Sequence, residues 1–219
     1  MTNIVMLLDE SGSMASIRND MIGSINLFIQ DQQKIDDATT FTLIKFNTQS
    51  KTFINKVPLK SVKPLTQTDY TPQGGTALFD AINDALILFG DEQSVIVVII
   101  TDGEENSSVR IKDFKTVKDK MATKPESWKF IYLNKGEEAM QQGNVLGINN
   151  NNITGKEAFN QKVAQDYIHI GKSAGCSSQG YNTVAIGAAL SNECSAAISQ
   201  CRTTGFMDYI TPNKKNNTK

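Results

Sequence analysis

Apolar residues fall along this chain in two kinds of block. Ile4-Val5-Met6-Leu7-Leu8 and Ser94-Val95-Ile96-Val97-Val98-Ile99-Ile100-Thr101 are near-continuous apolar runs, each ended by a polar turn. That pattern predicts strands buried on both faces of a parallel sheet. Trp128-Lys129-Phe130-Ile131-Tyr132-Leu133 reads as a further strand. Phe41-Thr42-Leu43-Ile44-Lys45-Phe46 alternates, and Thr52-Phe53-Ile54-Asn55-Lys56-Val57 follows after a short turn. So tight a connection predicts a hairpin, which puts one antiparallel strand at the sheet edge. Between the strands, Ile17, Met21, Ile25, Phe28 and Ile29 recur at helical spacing over about 15–34, and Leu78, Ile82, Ala85, Leu86 and Phe89 mark a second helix. A charged helix is expected near 110–122, and residues 58–75, with Pro58, Pro64 and Pro72, form a long loop. Further on, Glu137 to Gln142 predicts a short helix, Val145-Leu146-Gly147-Ile148 a short last strand, and Asn149 to Asn152 a loop. Residues 156–168 read as a helix with Phe159, Val163 and Tyr167 on one face. The alternation predicts an α/β fold: a doubly wound, mostly parallel sheet with one antiparallel edge strand and helices on both faces.

Ligand sites of open α/β folds lie outside the carboxyl ends of the strands, so the strand tips carry the candidate chemistry. The first run ends in Asp9-Glu10-Ser11-Gly12-Ser13-Met14. Asp9, Ser11 and Ser13, one carboxylate and two hydroxyls at alternate positions, can turn inward around one point, and all are hard oxygen donors of the kind Mg²⁺ takes. Gln73-Gly74-Gly75-Thr76-Ala77-Leu78 sets the Thr76 hydroxyl at the N-terminus of the second helix. The second run ends in another carboxylate, Asp102. A simpler assignment makes Ser11 and Ser13 caps of the first helix, Thr76 a cap of the second, and both aspartates ordinary loop residues.

Together these segments resemble the von Willebrand factor A (VWA) domain and its metal-ion-dependent adhesion site. The family's Asp-x-Ser-x-Ser, Thr and Asp correspond to Asp9, Ser11, Ser13, Thr76 and Asp102. Thr101-Asp102-Gly103-Glu104-Glu105-Asn106-Ser107-Ser108 and Trp128–Leu133 extend the likeness to small stand-alone VWA proteins of bacteria and phages, over roughly residues 1–170. The resemblance implies a divalent cation, Mg²⁺ with Mn²⁺ as the alternative, ligated by the hydroxyls of Ser11, Ser13 and Thr76. Asp9 and Asp102 are then expected to act partly through bound waters. Two carboxylates balance the dication without excess, so it keeps an electrophilic position for an acidic side chain of a partner protein. Glu10, Gly75, Glu104 and Glu105 are expected at the partner-binding rim, the three acids solvated and able to read a basic patch beside the docked carboxylate.

Composition narrows the setting. The 219 residues fit one α/β domain, residues 1–170, plus a Gly/Ser/Ala-rich extension, 171–219, containing a helix over Ala188–Cys201 and a basic end. A net charge of −1 gives no pull toward nucleic acid or an anionic membrane. The three cysteines, Cys176, Cys194 and Cys201, and the single His169 show no Cys-x-x-Cys spacing, so a structural zinc is not expected. Free thiols in a reducing compartment fit this usage. The first apolar run is too short for a signal peptide or a membrane span, and a cytoplasmic protein is expected (the host's cytoplasm if phage- or virus-encoded).

A docking module rather than an enzyme is the expected function. One alternative is a viral or phage assembly component that oligomerises through its C-terminal tail. Another is a metal-dependent phosphohydrolase, but such an enzyme would use an Asp-x-Asp pair where position 11 is serine. Gly171-Lys172-Ser173 lacks the upstream glycine of a phosphate-binding loop, since that position is Asp166.

Overall fold

Strand β1 (Asn3–Asp9) is buried along its whole length, and consecutive side chains serve two different cores. Ile4, Met6 and Leu8 join a cluster around helix α1 (Arg18–Gln33), while Val5 and Leu7 join one around helix α2 (Leu78–Phe89). This division is the physical reason for the unbroken apolar run, since side chains along a strand point alternately to opposite faces. The computed structural model describes residues 2–34, 38–92, 94–135 and 138–156. Within these, the remaining elements are β2 (Thr40–Phe46), β3 (Ser50–Pro58), β4 (Val95–Ile100), α3 (Phe114–Ala122), β5 (Lys129–Lys135), α4 (Glu138–Val145) and β6 (Ile153–Lys156). No helix among the described residues is long and apolar enough to cross a membrane.

The described strands form one sheet in the order β3-β2-β1-β4-β5-β6. Every neighbouring pair is parallel except β2–β3, so the expected mixed sheet with an antiparallel edge is the one observed. Since β1 pairs with β2 on one side and β4 on the other, the strand order reverses between β1 and β4. Their carboxyl ends therefore open a crevice at a topological switch point. The β3 edge carries a register irregularity opposite Phe41–Ile44, and Lys56 there takes φ 48°. Its N–H leaves the ladder and is accepted by Thr42 Oγ1 at 2.9 Å.

Several expectations need correction. All seven residues of β2 are buried, Thr42 and Lys45 included, even though apolar and polar residues alternate along it. Helix α3 starts at Phe114 rather than near 110, because the Asp113 carboxylate caps it by accepting the Thr116 N–H at 2.8 Å. Residues 145–148 are no strand. Val145 closes α4, and Leu146 and Ile148 are buried side chains of the following turn, where Gly147 takes φ 80°. The last described strand is β6, directly after the asparagine run, whose Asn150–Asn152 form a short 3₁₀ turn rather than an open loop. The helix expected over 156–168 and the extension 171–219 lie outside the described residues, apart from Lys156 itself.

Candidate functional site

The crevice collects the predicted donors. Beyond β1 the chain enters a 3₁₀ turn, Gly12–Ile17, with Ser11 at its start in extended conformation and no cap bond from its side chain. Instead, Ser11 Oγ lies 3.0 Å from Ser13 Oγ, and Ser13 Oγ donates to Asp102 Oδ1 at 2.6 Å. Thr76 likewise does not cap α2, whose N-cap position is Ala77 and lacks a side-chain cap. A methyl group placed on Gly103 would lie 3.5 Å from Thr76 Oγ1 and 3.8 Å from Ser13 Oγ, so these hydroxyls border one small space beside Gly103. The helix-cap assignment is thereby excluded for Ser11 and Thr76, and Ser11, Ser13, Thr76 and Asp102 come together.

Asp9 sits beneath them and is fully buried. Its Oδ1 accepts the Ser11 N–H at 2.7 Å and its Oδ2 the Thr101 hydroxyl at 2.6 Å. Burial pushes the Asp9 carboxyl up to about 6; the Thr101 and Ser11 bonds pull against that rise, and the Asp102 charge adds to it. Thr101, invisible as a site residue because it reads as the end of an apolar strand, thus orients Asp9 from the neighbouring strand.

The rim differs from expectation. Glu10 is only 9% exposed, so it is not solvated. Its Oε1 accepts from Lys45 Nζ at 2.9 Å and from the Thr71 N–H at 2.7 Å. Lys45 also donates to the Asp69 carbonyl at 2.6 Å and lies 4.6 Å from the centre of the Phe53 ring. Glu105 is likewise engaged, accepting N–H groups from Phe79, Ser107 and Ser108. Glu104 alone of the three acids is exposed. Gly75 is packed under the loop after β4, where an added methyl would lie 2.0 Å from Ser107 Oγ.

Tyr70 is a further site residue that the sequence did not reveal. It is fully buried, and its hydroxyl donates to the Asp9 carbonyl at 2.6 Å. Burial, then the charges of Asp9, Glu10 and Asp102, push its ionisation up, so it remains a donor. Arg18 clamps the same loop by donating to the carbonyls of Tyr70 and Gln67.

The arrangement suits a small, hard dication. Octahedral Mg²⁺ with bonds of about 2.1 Å sets neighbouring oxygens about 3.0 Å apart, and the Ser11 and Ser13 oxygens already stand at 3.0 Å. Three hydroxyls and two carboxylates supply only oxygen, and the two charges equal that of a dication. Among the described residues no cluster of three or more His, Cys, Asp or Glu side chains competes for a metal.

Residues 4–105 match the family described as von Willebrand factor type A domain. The fold is similar to the PilB minor pilin from Streptococcus sanguinis, at 14% identity over 80% of this chain and 61% of that one, with a TM-score of 0.61. It is also similar to a von Willebrand factor type A protein from Catenulispora acidiphila, at 14% identity over 79% of this chain and 42% of that one, TM-score 0.56. Proximal thread matrix protein 1 from the mussel byssus, in a form whose adhesion-site motif is occupied by zinc, matches at 16% identity over 79% of this chain and 46% of that one, TM-score 0.56. This chain therefore spans between 42% and 61% of the length of these structures. No curated protein matches. At such identities the likeness establishes the fold.

Proposed function

We propose that this chain, with the fold of a von Willebrand factor type A domain, is a non-catalytic docking module that binds a partner protein through a divalent cation, Mg²⁺ by preference. The observation that carries this reading is the convergence of Ser11, Ser13, Thr76 and Asp102 above the buried Asp9, with the Ser11 and Ser13 hydroxyls bonded to each other and to Asp102, and with neither Ser11 nor Thr76 capping a helix end. When bound, the cation supplies an electrophilic position for an aspartate or glutamate of the partner. Ser11, Ser13 and Thr76 would hold it through neutral oxygens, and Asp9 and Asp102 would balance its charge. Thr101 and Tyr70 fix Asp9 by its carboxylate and its carbonyl respectively. The zinc-occupied adhesion site of the byssal protein supports the same reading by analogy.

Thermal unfolding tests it. Wild type and the double variant Ser11→Ala/Ser13→Ala are melted in EDTA and in millimolar Mg²⁺. A native-state ligand at about a hundred times its Kd adds roughly 2.7 kcal/mol. A Mg²⁺-dependent rise in the wild type that vanishes in the variant is expected, and equal melting in all four samples would sink the metal reading. Turnover of a generic phosphate ester, lost in Asp9→Ala, would replace docking with hydrolysis.

A further inference from the structure

We infer that Glu105 and Asp80 are positioning residues of the metal site, locking the loop that carries Asp102 onto the helix that follows Thr76. The inference rests on the docking reading above and names what holds two of its ligands in register.

A helix leaves its first N–H groups without partners in its own backbone. Helix α2 opens on Ala77, which has no side-chain oxygen to offer. Residues from the loop after β4 take over that task. Thr76 N–H donates to Asn106 Oδ1 at 2.9 Å, Phe79 N–H to Glu105 Oε2 at 2.8 Å, and Asp80 N–H to Ser108 Oγ at 3.1 Å. The loop's own N–H groups are satisfied in return. Those of Asn106 and Ser107 reach the Thr76 carbonyl at 3.0 and 3.2 Å. Ser107 and Ser108 donate to Glu105 Oε1 at 2.8 and 2.7 Å. Val109, Arg110 and Ile111 donate to the Asp80 carboxylate at 3.0, 3.1 and 3.0 Å.

Both backbone groups of Thr76 are therefore held by the loop of Asp102 and not by its own helix. Glu105, three residues beyond Asp102, bonds to loop and helix together, accepting from Ser107 and Ser108 on one oxygen and from Phe79 on the other. Asp80, 3% exposed, anchors the far end of the loop. Gly75 completes the fit, because a side chain there would collide with Ser107. A metal ligand whose support is removed loses affinity even when the ligand itself is intact; outer-shell changes cost about 10–100-fold.

Direct calorimetric titration of Mg²⁺ into the metal-free full chain tests the inference, alongside melting in EDTA. Glu105→Ala is expected to weaken Mg²⁺ binding at least about tenfold, with partial recovery in Glu105→Gln, whose remaining oxygen still accepts from Ser107 and Ser108. Asn106→Ala, which removes the acceptor for the Thr76 N–H, is expected to weaken binding in the same direction and is read instead if Glu105→Ala does not fold. A merely structural role would lower the melting temperature in EDTA and leave the Mg²⁺ affinity at the wild-type value, and that result overturns the inference alone. A wild type that binds no Mg²⁺ overturns both the inference and the docking reading.

Discussion

Lys45 and Glu10 form an ion pair whose side chains are 11% and 12% exposed, and its removal one partner at a time gives the sharpest test of how the crevice is held. In Lys45→Met, the Asp69 carbonyl loses its lysine donor and the Glu10 carboxylate keeps only the Thr71 N–H. Breaking a buried pair from one side costs about 3–5 kcal/mol, because the remaining charge is left uncompensated. Lys45→Met/Glu10→Gln removes that charge while leaving an oxygen for the Thr71 N–H, and replacing both partners of a buried pair is often close to neutral. The double variant is therefore expected within about 1–2 kcal/mol of wild type, and more stable than Lys45→Met alone. Urea unfolding with unchanged slope measures each value. The single change takes a large share of the roughly 5–15 kcal/mol that stabilises a domain, and it lowers the melting temperature by about 6–20 °C. A cost below about 1 kcal/mol for Lys45→Met, or a double variant no better than the single, would refute the claim that burial makes this pair interdependent.

Three further outcomes are expected. Tyr70→Phe leaves the buried Asp9 carbonyl without its donor and should cost about 1–3 kcal/mol in chemical unfolding; a change within error would show that the hydroxyl does not hold the strand tip. Gly75→Ala should cost about 1–3 kcal/mol through overpacking, and adding Ser107→Ala should restore only part of it, since Asn106 Oδ1 would still lie 2.7 Å from the new methyl. Burial pushes the Asp80 carboxyl up, but the N–H groups of Val109, Ile111 and Arg110 and the Arg110 charge outweigh it and hold the group below its ordinary 3.8. Its contribution is thus fully present above 3.8 and is lost as pH falls through the lower native value. The stability gap between wild type and Asp80→Asn should narrow on acidification through that window, and a gap that stays constant would mean the carboxylate's charge is not what the loop reads.

The layered fold, and the placement of the five candidate donors at strand and helix tips, were legible because each rests on local pattern. Continuous apolar runs specify strands covered on both faces, and Asp9, Ser11, Ser13 and Asp102 follow such runs directly. What the pattern concealed were roles set by distant partners. Lys45 looks solvated in an alternating strand, yet β2 lies between β1 and β3 and meets the buried Glu10. Glu105 looks like a rim acid, but its partners include Phe79, 26 positions away. Tyr70 stands in a proline-rich loop with no periodicity, and only its contact with Asp9, 61 positions back, defines its role. The misplaced last strand is different. Val145, Leu146 and Ile148 supplied apolar residues enough for a strand, but they cap a helix end, while the β-branched Ile153-Thr154 pair after the asparagines was the usable signal.

The strand order also has a consequence for the order of events during synthesis. Strand β1 finds one neighbour early, since Asn3 pairs with Thr40, but its other neighbour begins at Val95. At about 5–20 residues per second, translation leaves one edge of this largely apolar strand open for roughly 5–20 s. During that interval Asp9 has no Thr101 and Ser13 has no Asp102. A nascent chain halted before Val95 therefore presents an unpaired apolar edge, the kind of surface that aggregates or engages chaperones.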